Sequence, residues 1–315
     1  MIMTQRKAFT LVELLVVIGI VVLLISILLV ALHMARLKAD QARMAADLQT
    51  IAIALDAYKA DFGDYPRVRM DVATAATPGK FLPVLNWGPP DIYLNQYISG
   101  AELLCWALVG PYDEVPGSAT FNPLIMDGYD GPGFRLNPRQ PGPDGVYGRP
   151  PADTDDIPAH GQVYASYLNV ERFRFGVNAE VPRYPVLLDS RGNPILYFPL
   201  TPRPAGQAYT SIADRWNPAD VSTALDFLPA YDTRDNDASF WRGVDVATAD
   251  YATPLARMRV MLGDTNANGI FDPGETMPPT LPFLLWSAGP DGFYGPTNPA
   301  NPADVNNCDD VTNLK

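Results

Sequence analysis

Residues 264–275 place oxygen-bearing side chains at a spacing that suits a calcium ion. They read Asp-Thr-Asn-Ala-Asn-Gly-Ile-Phe-Asp-Pro-Gly-Glu, with Gly269 at the tight bend, and a 12-residue loop of this kind surrounds Ca²⁺ with hard oxygen ligands. Because Pro273 opposes a following helix, an isolated loop is expected rather than a helix–loop–helix pair. A polar turn without metal is the alternative. The predicted ligands are Asp264, Asn266, Asn268, the carbonyl of Ile270, Asp272 and Glu275.

A single carboxylate, Glu13, lies at the start of an almost unbroken apolar run. The run from Leu14 to Leu32 is interrupted only by Gly19 and Ser26, and as a helix it covers about 28 Å, close to the hydrocarbon core of a bilayer. A carboxylate beside such a segment is costly to desolvate and needs a partner or a purpose. Two plainer interpretations are a cleaved secretory signal, whose apolar part is normally about 7–15 residues, and a simple membrane anchor.

The helix that carries Glu13 is predicted to extend far beyond the apolar run. No proline interrupts the stretch from Phe9 to Tyr65, and Gly63 is a suitable stop, which gives one helix of about 54 residues or roughly 80 Å. Its second half repeats apolar residues at steps of three and four, the pattern of a helix packed on a globular domain. This stripe consists of Leu37, Met44, Leu48, Ile51, Leu55, Tyr58 and Phe62.

Four shorter elements are predicted from local patterns. Residues 101–108 are the best candidate for a second helix. Apolar residues 186–188 and 195–197 flank a Gly-Asn turn and predict two paired antiparallel strands. Residues 283–287 predict a third strand.

The N-terminal segment resembles that of type IV pilins and pseudopilins, whose precursors carry a short basic leader, then Phe-Thr-Leu-x-Glu-Leu and a hydrophobic helix. The matching residues are Phe9, Thr10, Leu11, Glu13 and Leu14. The resemblance implies that a prepilin peptidase cleaves between Ala8 and Phe9 and that the new amine of Phe9 is methylated. It also implies that Glu13 neutralises the terminal amine of a neighbouring subunit during assembly. The family usually has glycine where this chain has Ala8.

Two further segments are similar to the major pseudopilin of type II secretion. Residues 55–66 resemble its Leu-Asp-x-Tyr-Lys helix end and Gly-x-Tyr-Pro turn, and residues 189–197 resemble its Asp-x-x-Gly-Asn-Pro hairpin. Residues 67–184 and 201–262 are far longer than the loops of that family. The first of them is dense in Gly, Pro, Asp and Asn, so it is expected to be mostly irregular.

The same family has a C-terminal calcium loop with a Gly-x-Asp-Gly segment and a later acidic pair. The match here implies a second calcium loop whose ligands are Asp291, Asp309, Asp310 and carbonyls near Ala288 and Phe293. An internal echo of this pattern suggests a third site at Asp144, Asp155 and Asp156, although a proline-bracketed turn is the favoured interpretation there.

Composition narrows the function further. The net charge of −12 argues against nucleic acid as a partner. The two cysteines, Cys105 and Cys308, allow either one disulfide or two free thiols. Only two histidines, His33 and His160, are present, and Walker and Rossmann fingerprints are missing, so the chain is not expected to be an enzyme.

The sequence thus predicts an α+β, pilin-like fold: a long N-terminal helix packed on a small antiparallel sheet, with loop-rich insertions and calcium loops. The expected function is a structural subunit of a type II secretion pseudopilus or pilus-like fibre, stored in the inner membrane with its N-terminus cytoplasmic and its globular part exported, and assembling with sister pilins. A membrane-anchored or minor-pilin surface module for binding or adhesion is the alternative. The predicted parts are a leader (1–8), a transmembrane and assembly helix (9–33), an amphipathic helix (34–66), a loop-rich insertion (67–184) and a C-terminal sheet with calcium loops (185–315).

Overall fold

The structure is a computed structural model, and it describes residues 11–66, 99–110, 133–135, 163–177, 185–200, 211–214, 229–232, 236, 252–264, 266 and 281–314. The helices in these parts are α1 (Leu11–Phe62), α2 (Gly100–Val109), α3 (Ala252–Met261) and α4 (Pro302–Asn306). The strands are β1 (Gly133–Arg135), β2 (Val163–Ala165), β3 (Arg174–Val177), β4 (Pro185–Leu188), β5 (Leu196–Pro199), β6 (Ser211–Asp214), β7 (Pro229–Asp232), β8 (Phe283–Ser287) and β9 (Val311–Thr312).

Helix α1 is continuous over 52 residues, so the long helix predicted from the sequence is confirmed within the described residues. It ends at the predicted glycine. Gly63 adopts a φ of 87°, and its N–H donates to the carbonyl of Lys59 at 2.8 Å. A left-handed residue directly after the last turn is a common way of ending a helix, and glycine adopts that conformation at little cost.

The first half of α1 has its apolar side chains exposed. Between Leu11 and Leu29, every large apolar side chain is exposed by 46 to 79 %. This helix is long and apolar enough to cross a membrane. An exposed apolar surface of this size needs a partner outside the chain's own fold, either lipid or other apolar helices.

The second half of α1 packs on the head, the name used here for the described residues from 99 to 314. Met44, Leu48, Ile51, Leu55 and Tyr58 are all buried. Their spacing of three and four residues puts them on one face of the helix. The predicted apolar stripe is therefore confirmed, and its two ends, Leu37 and Phe62, are half-buried.

The head is built on a three-stranded antiparallel sheet in the order β5-β8-β9. The central strand β8 has the predicted bounds, and all five of its residues are buried. Its register pairs Leu196 with Trp286 and Ser287 with Val311. Two smaller antiparallel pairs, β1-β2 and β3-β4, complete the antiparallel part of the α+β fold.

The predicted pairing of the strands on either side of the Gly-Asn turn is confirmed next to the turn only. Leu188 and Pro194 form an antiparallel bridge, in which the Ile195 N–H donates to the Leu187 carbonyl and the Asp189 N–H donates to the Asn193 carbonyl, both at 2.8 Å. Beyond this bridge, β4 pairs with β3 and β5 pairs with β8. The chain still turns sharply at Gly192, whose φ is 90°, but the two strands then separate to join different partners.

β6 and β7 form a parallel pair, a departure from the purely antiparallel arrangement that the sequence predicted. Antiparallel neighbours can be joined by a short turn, whereas parallel strands require a crossover connection. Residues 215–228, which lie between these two strands in the sequence, are outside the described residues.

Helix α2 confirms the predicted second helix and is buried along its whole length. Ser99 and Glu102 form a reciprocal capping box at its start, in which the Ser99 N–H donates to the Glu102 carboxylate at 2.8 Å. The helix shares a core with α1, β5 and β8. The long segment 67–184 thus contributes a helix to the main core. Its predicted boundary at 184 lies between β3 and β4, which pair with each other.

The start of α2 lies so close to β5 that a side chain cannot fit between them. A methyl group on Gly100 would lie 1.9 Å from the carbonyl oxygen of Tyr197. Asn236 holds the same junction, since it accepts from the Ala101 N–H at 2.9 Å and donates to the Tyr197 carbonyl at 2.9 Å.

Replacing Gly100 by alanine should therefore destabilise the protein by about 2 kcal/mol, because the backbone of β5 or α2 must move to make room. Thermal unfolding of the full-length protein in detergent measures the effect. Gly19→Ala is the matched control, since a methyl group there has nothing within 4 Å and should leave the melting temperature unchanged. Equal melting temperatures for Gly100→Ala and the wild type would contradict the close contact.

Candidate metal centre

Three carboxylates predicted as ligands of the second calcium loop lie together in the structure. Asp291 lies in the loop after β8, and Asp309 and Asp310 lie between α4 and β9. One carboxylate oxygen from each residue lies within 4.8 Å of the other two. Asp291 is exposed, Asp309 is half-buried and Asp310 is buried. These three residues, called the carboxylate cluster below, form an oxygen-rich site at the surface of the head.

Asp310 is the most constrained member of the carboxylate cluster. It is 6 % exposed, and its Oδ2 accepts from the indole N–H of Trp286 at 2.7 Å and from the Gly295 N–H at 2.5 Å. Its Oδ1 is buried and has no hydrogen-bond partner among the described residues. A buried carboxylate oxygen without a partner is costly, and a cation held by the cluster would remove that cost.

The other two carboxylates are positioned by the backbone of the metal loop, the name used here for residues 288–295. The Asp291 N–H donates to Asp309 Oδ2 at 3.1 Å, and the Phe293 N–H donates to Asp291 Oδ1 at 2.8 Å. Gly289 has a φ of 67°, and a methyl group on it would lie 2.5 Å from the Asp309 carbonyl oxygen. Glycine at this position thus lets the two segments approach each other closely.

Burial and the repulsion between neighbouring carboxylates raise the pKa of two members of the carboxylate cluster, Asp309 and Asp310. Burial raises the pKa of Asp310 from its ordinary value of 3.8 to about 7; hydrogen bonds from Gly295 and Trp286 lower it, and the charges of Asp291 and Asp309 raise it further. Burial and then the charge of Asp291 also raise the pKa of Asp309. A divalent cation would reverse this balance, because it favours the ionised form of each carboxylate.

The donor set matches a hard cation. Carboxylate and carbonyl oxygens suit Ca²⁺ and Mg²⁺, whereas Zn²⁺ prefers nitrogen and sulfur ligands. The neighbouring thiol of Cys308 is not a suitable ligand, because burial and the charge of Asp310 raise its pKa to about 12 and keep it protonated. Cys308 and the buried Cys105 are both free thiols in the structure.

The two backbone ligands predicted for this site lie in the metal loop. Ala288 is buried directly after β8, and Phe293 is exposed. The coordination of a cation by their carbonyl groups stays a prediction.

The other sequence-predicted site residues are only partly described. Asp264 is buried just after α3, where its N–H donates to the Arg259 carbonyl at 3.0 Å, and Asn266 is exposed. Glu13 lies in the first turn of α1. The first calcium loop therefore stays a prediction, and the remaining predicted residues lie outside the described residues: Ala8, Phe9, Asp144, Asp155, Asp156, Asn268, Ile270, Asp272 and Glu275.

Sequence reasoning missed the residues that hold the carboxylate cluster in place. Trp286 was predicted only as part of a strand, although a buried indole N–H usually requires an acceptor and so signalled a polar neighbour. Gln41 gave no such signal. Its side chain Nε2 donates to the Asp309 carbonyl at 3.2 Å, a contact between residues far apart in the chain.

Part of this chain is similar in sequence to one curated protein. The chain is 31 % identical over 92 residues to "Type II secretion system core protein G" of Klebsiella michiganensis. The match covers 29 % of this chain and 65 % of the relative, so the chain spans just under two thirds of that protein. Family models and solved structures were searched, and none matches the chain. The similarity is a distant homology over part of the chain.

The raised pKa of Asp310 predicts an unusual dependence of stability on pH. Between about pH 4 and 7 the metal-free folded state retains a proton that the unfolded state has released, so stability from this group falls as the pH rises. Thermal unfolding in metal-free buffer should show this fall from about pH 4 to 7, and Ca²⁺ should stabilise the protein most at the upper end, where it does not compete with the proton.

Asp310→Asn is the control, because asparagine keeps an oxygen that can accept from Trp286 and Gly295 but does not ionise. This variant should lose the fall in stability. The same pH profile in the variant and the wild type would show that Asp310 does not titrate in this range.

Proposed function

We propose that the chain is a membrane-stored structural subunit that polymerises through α1 into a type II secretion pseudopilus or a pilus-like fibre. The observation that carries this proposal is the continuity of α1, whose first half exposes all its large apolar side chains up to Leu29 while its second half is packed on the head. Lipid covers the first half during storage, and sister helices cover it in the fibre. The homology to a type II secretion core protein supports the same role.

Processing and assembly follow from the N-terminal segment. A prepilin peptidase removes residues 1–8, the amine of Phe9 is methylated, and the head lies on the exported side of the inner membrane. Glu13 lies close to the new N-terminus along the helix. In an apolar environment a carboxylate and an ammonium group attract strongly, so the pairing of Glu13 with the amine of a neighbouring subunit favours one axial register.

The carboxylate cluster is proposed to hold Ca²⁺ together with the carbonyl groups of Ala288 and Phe293. The ion supplies positive charge that offsets the repulsion among Asp291, Asp309 and Asp310 and the burial of Asp310. Residues 264–275, the first calcium loop predicted from the sequence, are proposed as another Ca²⁺ site, beginning at the buried Asp264. The segment containing Asp144, Asp155 and Asp156 is a third, weaker candidate.

A second candidate function is a membrane-anchored or minor-pilin module for surface binding or adhesion. It is favoured by one observation, namely that the homologous match covers only 29 % of this chain. Such a module would use the pilin-like segment for export and anchoring. A structural rather than catalytic role is common to both candidates.

Replacing Glu13 by alanine should leave leader cleavage intact but reduce incorporation into fibres by about 10-fold or more, because the amine of the neighbouring subunit loses its counter-charge. Immunoblotting of the cleaved form and of sheared or cross-linked fibres separates the two steps. Glu171→Ala is the control, since Glu171 is an exposed acid of the head. Normal incorporation of the Glu13→Ala variant would exclude the assembly role and favour the anchored module.

Replacing Asp291 by asparagine should weaken Ca²⁺ binding by about 10-fold or more, because the exposed carboxylate is lost without disturbing the core. Calorimetric titration of the full-length protein in detergent measures the affinity. Asp304→Asn is the matched control, since Asp304 is a nearby acid outside the cluster. Ca²⁺ at 100 times its Kd should also stabilise the wild type by about 2.7 kcal/mol. Equal affinities of the Asp291→Asn variant and the control would exclude the cluster as the site.

A further inference from the structure

Two neighbouring residues of α1 contact two different segments of the head, one of which carries Asp309 of the carboxylate cluster. Gln41 donates from Nε2 to the carbonyl of Asp309 at 3.2 Å. Asp40 forms an ion pair with Arg191, whose Nη2 lies 2.5 Å from the Asp40 Oδ2. Arg191 belongs to the turn between β4 and β5. One turn of the helix thus contacts both the site and the adjacent 189–193 turn.

The 189–193 turn is also hydrogen-bonded to Ser287, the residue directly before the metal loop. The buried carboxylate of Asp189 accepts from the N–H of Arg191 at 2.9 Å and from the N–H of Asn193 at 2.9 Å. It also accepts from the hydroxyl of Ser287 at 2.8 Å, and Ser287 directly precedes Ala288. Polar contacts and short pieces of backbone therefore run from Asp40 to the metal loop.

The path closes on itself through the carboxylate cluster. From the metal loop, the Asp291 N–H reaches the Asp309 carboxylate, and the Asp309 carbonyl accepts from Gln41, which is adjacent to Asp40. We call this closed path the junction ring; its members are Asp40, Gln41, Asp189, Arg191, Ser287, Asp291 and Asp309. Asp309 has two roles in the ring, because its carboxylate belongs to the cluster and its carbonyl contacts the helix.

The junction ring lies near the start of the part of α1 that packs on the head, after the apolar run. Residues 40 and 41 are about 12 to 14 Å along the helix from Leu32, a distance well beyond the headgroup layer of a bilayer, which is about 5 to 8 Å thick. Between them and Leu32, residues 33–36 and 38–39 are exposed. The ring therefore contributes to fixing the direction in which the membrane segment leaves the head.

We propose that cation binding at the carboxylate cluster closes the junction ring and so fixes residues 36–44 of α1 on the head, a calcium-dependent clamp between head and membrane helix. This inference rests on the proposed calcium site. Without the cation, repulsion within the cluster moves Asp309 away from Asp291 and Asp310, and its carbonyl then leaves Gln41. With the cation, Asp309 is held where its carbonyl accepts from Gln41.

The clamp has a thermodynamic consequence that can be measured. If calcium favours the contact between Gln41 and Asp309, then that contact must favour calcium by the same factor. One hydrogen bond of ordinary strength corresponds to about a 5-fold change in affinity. Gln41→Met keeps the length of the side chain and removes its donor, so it should weaken Ca²⁺ binding by about 3- to 5-fold.

The chain offers a matched control on the same helix. Arg172 forms an ion pair with Asp47 of α1 at 3.0 Å, and neither residue is a member of the junction ring. Arg172→Ala also removes a polar contact between the head and α1. It should leave the Ca²⁺ affinity unchanged.

Hydrogen exchange read by mass spectrometry tests the clamp in the full-length protein in detergent, with and without Ca²⁺. Amides of residues 36–44 should exchange about 3-fold or more faster without calcium, whereas those of the buried helix α2 should not change. In Gln41→Met, residues 36–44 should exchange fast in both conditions.

Each result is decisive. Calcium binding by the wild type with unchanged exchange in residues 36–44, or an unchanged affinity in Gln41→Met, overturns the clamp and leaves the proposed calcium site standing. Absence of calcium binding in the titration overturns the site and the clamp together.

Discussion

A single uninterrupted helix has to meet two environments, and the rest of the structure depends on this constraint. Along the first half of α1 every large apolar side chain up to Leu29 is exposed, so the chain buries this surface only in lipid or against other helices. Along the second half the apolar stripe from Met44 to Tyr58 is buried against the head. The residues between these halves, around Asp40 and Gln41, connect the exposed apolar half of α1 to the half that packs on the head.

The head meets this demand with an apolar core around the second half of α1 and with polar contacts near Asp40 and Gln41. The carboxylate cluster gathers three acids and leaves the Oδ1 of Asp310 buried without a partner among the described residues, which makes a cation the natural complement. The same segments contact α1 through Gln41 and Asp40. The proposed calcium site and the proposed anchoring of the helix therefore share the residue Asp309.

Local patterns predicted α1, α2, β4, β5 and β8 but not the other helices and strands of the described residues. α1, α2 and β8 follow from periodicity, apolar runs and a glycine stop, all of which act within a few residues. The main partner of β5 did not follow, because β8 lies far away in the sequence. That Asp291, Asp309 and Asp310 lie together was predicted only through the family resemblance, since Asp291 and Asp309 are 18 residues apart in the chain. The contributions of Trp286 and Gln41 depend on tertiary packing, which no spacing in the sequence encodes.

The central claim is that α1 is retained as a membrane and fibre helix after a short leader has been removed. The intact mass of the protein recovered from the inner membrane of the cells that produce it tests this claim most directly. The account predicts a chain that begins at a methylated Phe9 and keeps the whole apolar run. A mass that still includes Met1, or one that shows cleavage beyond Leu32, would contradict it, since the first is expected of a plain anchor and the second of a secretory signal.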